Sequence, residues 1–148
     1  MALTMANKPD VQTHNEPWPA DIAADFAREA KNPNPCVGSM LLSEDDRTRV
    51  WMIAMKPGER VGFHRHVLNY SWTSVNGGHG RQHLMDGSTV EHSYYPGETR
   101  HETYGPGQFK VHDLENLGDR EMIFNTIEFL DSANAPLPVP DRIRMTQP

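Results

Sequence analysis

Residues 57–72, PGERVGFHRHVLNYSW, hold the residues best suited to chemistry in this chain. His64 and His66 stand one residue apart. On a β-strand, positions i and i+2 share a face, so the two imidazoles can be delivered to one ion. Neutral imidazole suits zinc, iron, copper and nickel. Two ligands do not complete a site. The best third candidate is His112 in FKVHDLEN, a late segment that a closed sheet can lay beside an early one. The competing reading is a pair of surface histidines on an ordinary strand, because an isolated H-x-H is a weak signal and the chain has eight histidines. His79, His83, His92 and His101 have no such spacing, lie near turns, and read as solvated loop residues.

The same alternation carries Leu68, Tyr70 and Trp72 onto the histidine face if no bulge interrupts the strand. Tyr70 has three readings: a phenolate ligand, a general acid or base at a cavity wall, or an aromatic packing residue. Trp72 fits the apolar wall of a small-ligand site, and also plain core packing; Trp51 reads as core. Arg81 and Gln82, after the NGG turn, are the residues placed to reach a carboxylate or polar substrate, the alternative being solvated side chains.

These residues must be positioned by strands. Short runs rich in Val, Ile, Tyr, Phe, Trp and Thr alternate with Gly, Asp, Asn and Pro clusters from residue 36 to about residue 131, the pattern of an all-β domain of about eight strands. Asp86-Gly87 reads as a two-residue hairpin. Upstream, DIAADFAREAK (21–31) is a helix with a stripe of Ile22, Phe26 and Ala30, stopped by NPNP. Four stretches follow: a disordered segment 1–20, a helix and Pro-rich connection 21–35, one barrel domain 36–131, and an extended Pro-rich tail 132–148.

Composition narrows the classes. The 148 residues carry a formal charge of −6, with a pI near 5.7 and a mean hydropathy of −0.68. No basic stripe is present, so no nucleic-acid partner is expected. No window is apolar enough to span a bilayer, and the first residues lack a signal-peptide core. Cys36 is the only cysteine, which leaves no intrachain disulfide, excludes a zinc finger and suits a reducing compartment. A cytoplasmic protein is expected.

Around the two histidines the spacing runs Gly58, five residues, His64, one residue, His66, three residues, Tyr70, six residues, Gly77. This resembles the first motif of the cupin superfamily. His112, followed after three residues by Asn116 and then Leu117-Gly118-Asp119, resembles the second half of that superfamily's second motif; the Pro-Gly of its first half, Pro96-Gly97, is displaced by a longer insertion. His101 is the rival ligand, set aside because no Asn follows it at the right offset and Thr99–Glu102 looks like loop. The resemblance covers residues 37–130. It implies an all-β, small cupin-type β-barrel (jelly roll) with a short N-terminal helix, and one divalent transition metal (Fe, Zn, Mn, Ni or Cu) held by His64, His66 and His112.

The pattern is broken at Tyr70, where the family usually has a Glu ligand. Three neutral imidazoles leave a divalent cation uncompensated by protein charge, so an anionic substrate or hydroxide would complete the balance. The resemblance implies a metal-dependent enzyme on a small molecule, of oxygenase, lyase or isomerase type. All-histidine sites of this kind occur in cupin dioxygenases. Two alternatives stand beside it: a metal-free acid–base enzyme resembling sugar epimerases, and a non-catalytic small-ligand binder. It also implies a homodimer.

Overall fold

The computed structural model describes residues 10–145. Ten strands form two five-stranded antiparallel sheets that face each other. They are β1 (Asp10–His14), β2 (Met40–Glu44), β3 (Thr48–Met55), β4 (Arg60–His66), β5 (Asn69–Ser74), β6 (Gly78–His83), β7 (Thr89–Tyr94), β8 (Thr99–Glu102), β9 (Lys110–Asn116) and β10 (Met122–Phe129). One sheet runs β1-β7-β6-β9-β4, and the other β2-β3-β10-β5-β8. Between them lies the core, where Ile53, Met55, Tyr94, Leu114, Met122 and Phe124 pack together. Strict alternation along β3 and β10 sends every second residue inward, Trp51 being fully buried as expected.

Two strands exceed the eight expected from sequence. Asp10–His14 lies within the stretch expected to lack order, yet it pairs with β7, Val11 opposite His92 and Thr13 opposite Val90. Its polar composition hides it, because an edge strand needs only backbone partners. Residues 1–9 and 146–148 lie outside the described residues. Thr99–Glu102, read as loop, is β8, and pairs with β5 so that Glu102 stands opposite Tyr70 and Arg100 opposite Trp72.

The β6–β7 hairpin also differs by one residue. The Leu84 amide donates to Ser88 O and the Gly87 amide to Leu84 O, so Met85, Asp86 and Gly87 form a three-residue loop. Gly87 takes φ 92°, the left-handed third position this loop needs.

The helix α1 spans Ala20–Lys31. Ile22 and Phe26 face the barrel, against Phe63 and Val111 of the first sheet and Trp18. Ala30 is exposed; Glu29, seven residues after Ile22 and so on its face, is buried instead. Its carboxylate accepts from Arg65 Nη2 at 2.9 Å and from the Asn34 amide at 2.8 Å. The NPNP connection then runs along the edge of β4, the Arg65 amide donating to Asn34 O at 2.8 Å. The tail packs beside β2, with Val139 and Ile143 against Val37, Leu41 and Trp51.

Candidate metal centre

The local structure of β4 decides which way the histidines point. Val61 stands opposite Leu114 on β9 and His64 stands opposite His112, so Gly62 and Phe63 together oppose Asp113. This β-bulge adds one residue and resets the alternation. Val61 packs on the core, Phe63 turns outward to α1, and His64 and His66 turn inward. Unbroken alternation would have put Val61, Phe63 and Arg65 on one face and both histidines on the other.

The bulge is anchored from outside. Asp25 Oδ2 on α1 accepts from the freed Phe63 amide at 3.1 Å and from Arg60 Nη2 at 2.8 Å. A Cβ at position 62 would meet that same carboxylate oxygen at 3.1 Å, which is why a glycine sits there. Arg60 Nε also donates to Asp113 Oδ2 at 2.7 Å. Fully buried Asp113 further accepts from the His83 amide at 2.6 Å and from His83 Nδ1 at 2.8 Å. Burial pushes the Asp25 carboxyl up, but the Phe63 amide and Arg60 outweigh it and hold it below the usual carboxylate range.

Inside the barrel the three candidate ligands meet. One nitrogen from each of His64, His66 and His112 lies within 4.8 Å of the other two. His66 Nε2 and His112 Nε2 are 3.1 Å apart. Two imidazole nitrogens each about 2.1 Å from one ion sit about 3.0–3.4 Å apart in octahedral or tetrahedral geometry. Two rings are held by their far nitrogens: His64 Nδ1 donates to Gly62 O at 2.8 Å, and His112 Nδ1 donates to Gln82 Oε1 at 2.7 Å. Each therefore presents an Nε2 lone pair, its ring fixed in tautomer and direction as metal-binding histidines usually are. His66 Nδ1 is buried without a partner, and this ring stacks on Tyr70, centroids 4.0 Å apart and planes 12° off parallel. The donor set fits a divalent transition metal.

Electrostatics keep the imidazoles neutral. Burial lowers all three, His64 to about 4 and His66 and His112 well below their ordinary value; Lys110 lowers each of them further, His64 also depresses His66 and His112, and His66 depresses His112. Lys110 alternates inward with His112 on β9 and stands opposite His66. Among the described residues it forms no ion pair; burial lowers its own pKa, and Glu102 partly opposes this.

The histidines line a cavity of about 40 Å³, with Trp72, Tyr94 and Phe124 on its apolar side. The cavity is large enough for a few waters or a ligand of similar bulk. No acidic side chain lines it. Trp72 lines the cavity. Gln82 lines the cavity too, but it spans His112 and Tyr94, donating to Tyr94 Oη at 3.0 Å. Arg81 points the other way, toward Glu115 (3.4 Å) and Glu91 (3.7 Å) on the outer face, and does not reach the cavity. Tyr70 lines the cavity, buried, its hydroxyl beside that of Tyr104 without a well-formed hydrogen bond between them. Burial, then Tyr104 and Glu102, raise its pKa well above the ordinary phenol value.

Of the histidines read as solvated, His83 and His92 are buried on strands. His83 is held by Asp113, and His92 Nε2 donates to Glu98 Oε2 at 3.0 Å. Asp113 lies 30 residues beyond His83, and Glu98 reaches His92 across the turn that follows β7. His79 is half-buried on β6 and bonded to Ser93 Oγ at 2.9 Å; His101 is exposed on β8. One more buried acid, Glu128, faces inward from β10 and accepts from Trp51 Nε1 at 2.7 Å. Burial raises it to about 7, with Trp51 and Arg49 pulling the other way.

No family model and no curated protein matches the chain. Solved structures do. A cupin domain from Bordetella pertussis Tohama I is 24% identical, over 59% of this chain and 85% of that one, with a TM-score of 0.51. A conserved protein with a double-stranded β-helix domain from Klebsiella pneumoniae is 21% identical, over 71% and 89%, with a TM-score of 0.50. At these identities the likeness is one of fold.

Proposed function

We propose that this chain, which has the cupin fold, is an enzyme that holds one divalent transition metal between His64, His66 and His112 and acts on a small anionic molecule. The convergence of three imidazoles, two of them fixed through Nδ1 so that Nε2 faces the shared space, carries the reading. When bound, the metal supplies a Lewis-acid or oxygen-binding centre at a chelated carbonyl or carboxylate. The reaction classes that suit such a centre are oxygen insertion, lyase chemistry and isomerisation.

The chain's own groups favour an anion. Three neutral ligands leave the cation's charge uncompensated, no acid lines the cavity, and Lys110 pairs with His66 across β4 and β9. Tyr70, whose phenol burial holds protonated well above its ordinary range, would serve as a proton donor. Trp72, Tyr94 and Phe124 exclude water from the opposite side. The small cavity suits a ligand of few heavy atoms and excludes polymers.

Elemental analysis of protein purified without chelator or affinity metal tests this directly. Near-stoichiometric metal in the parent, absent from His64→Ala and His112→Ala, is the expected result. A parent that holds no metal, and cannot be loaded with iron, zinc, manganese, nickel or copper, overturns it.

A further inference from the structure

Outside the barrel, the outer face of the first sheet and the segment that crosses it border a second space, of about 320 Å³. That volume is within the range of small-ligand sites, and no residue lining it also lines the cavity between the histidines. Strand register builds its floor. His14, Thr89 and His83 stand side by side on β1, β7 and β6. Two residues further along the same face, Arg81 stands between Glu91 and Glu115. The other wall is the Pro-rich stretch that leads from β1 into α1, where Trp18 lies edge-on to the His83 ring, centroids 5.5 Å apart.

Two floor residues hold polar atoms that the fold leaves idle. His83 is 4% exposed and Thr89 3%. His83 Nδ1 donates to Asp113, so Nε2 keeps its lone pair and points away from that acid. Among the described residues neither this nitrogen nor the Thr89 hydroxyl has a hydrogen-bond partner, and both residues line the cleft. Buried polar groups are normally satisfied, so a ligand carrying a hydrogen-bond donor suits the pair. Directly opposed residues on neighbouring strands have Cβ atoms about 5 Å apart, close enough for one donor group to reach both.

Charge decides which donor. Glu16, Asp21 and Glu115 line the cleft against a single arginine. The groups that would draw an anion are already engaged: Arg81 is shared by Glu115 at 3.4 Å and Glu91 at 3.7 Å, His14 faces Glu16, and Asp21 sits in the first turn of α1. The balance favours a cation. A bare metal ion is not the cation that fits, because among the described residues only His64, His66 and His112 bring three ligand atoms together.

We propose that this outer cleft binds a small organic molecule through a protonated amine. The ammonium donates to His83 Nε2 and the Thr89 hydroxyl in the field of the surrounding acids, and the apolar part of the ligand lies against Trp18 and the flanking prolines. This inference is independent of the metal centre.

Benzylamine, benzyl alcohol and benzoate share one shape and differ in charge, and nuclear magnetic resonance of the full chain reads where each binds. The tryptophan indole signals separate the sites, since Trp18 lines the outer cleft, Trp72 the barrel cavity and Trp51 neither. Benzylamine at up to about 10 mM is expected to move the Trp18 signal along a saturating curve, with the alcohol and benzoate at least about tenfold weaker. Thr89→Val removes the hydroxyl at nearly constant shape, and Glu115→Gln removes a charge from the half-buried rim. Each is expected to weaken benzylamine binding at least about threefold. The proposal is overturned by the lack of a saturating shift at Trp18, or by a shift at Trp72 in its place. Benzoate binding as tightly as benzylamine, or benzylamine affinity unchanged in both variants, overturns it too.

Discussion

Asp25 on α1 accepts the backbone amide of Phe63 on β4 at 3.1 Å, and through that bond an outer helix sets the direction of the inner histidines. The bulge at Gly62-Phe63 leaves an amide without a ladder partner, and Asp25 is the partner. Asp25→Ala orphans that amide and one bond of Arg60, and is expected to cost about 2–3 kcal/mol of stability. It also loosens His64, so metal retention in a chelator competition falls. Asp25→Asn keeps an acceptor and restores most of both. Equal metal retention in wild type and Asp25→Ala would show that the bulge does not depend on this contact.

Gln82 is a positioning residue for His112. Gln82→Ala leaves His112 Nδ1–H without its acceptor, and the expected outcome is a 10–100-fold loss of metal affinity with the fold intact. Competition against a chelator reads the affinity, and thermal melting reads the fold. Arg81→Ala, one residue away on the other face, leaves metal affinity unchanged.

Tyr70→Phe separates packing from proton transfer. The hydroxyl is buried with only the Tyr104 hydroxyl beside it, so its removal is expected to change stability by no more than about 1 kcal/mol and to leave metal content unchanged. Turnover, once a substrate is in hand, falls. A variant that instead loses its metal would mark Tyr70 as a ligand after all.

Two sets of buried groups give stability opposite dependences on pH. Glu128, raised to about 7, keeps its proton in the folded chain where the unfolded chain has lost it, so stability falls as pH rises from about 4.5 to 7. The histidine trio is neutral when folded but protonates when unfolded below about 6.5, so its contribution falls as pH drops through that value. Glu128→Gln keeps an acceptor for Trp51 and is expected to add about 3 kcal/mol at pH 8 and almost nothing at pH 4. Between those limits its stability declines more steeply with acid than the wild type's. Parallel urea-denaturation profiles for the two proteins would contradict this.

Most of the strand rhythm is written in the chain, because β-branched and aromatic runs bounded by Gly and Pro turns report local preference. Thr48–Met55 is such a run, and it forms β3. What stayed hidden is what tertiary pairing supplies. DVQTH and TRHE are polar segments that become strands only because β7 and β5 offer open edges. At the site, the identities of His64, His66 and His112 were legible, but the reason they converge was not. Alternation alone brings His64 and His66 to one face; which face depends on the bulge, and the bulge depends on a carboxylate 38 residues upstream. The support of His83 escaped for the same reason, Asp113 lying on another strand; that of His92 depends on how the β7–β8 turn folds Glu98 back.

The short strand β1 has a consequence for handling the protein. It covers the edge of β7, whose sequence TVEHSY alternates in a way that invites pairing with any free strand. A chain trimmed by a protease after His14 would keep its barrel and its histidines, yet expose that ladder of unpaired amides and carbonyls. Such a product should precipitate on standing while the intact chain stays dispersed. In this molecule a five-residue strand outside the barrel acts as a guard against fibre-like association.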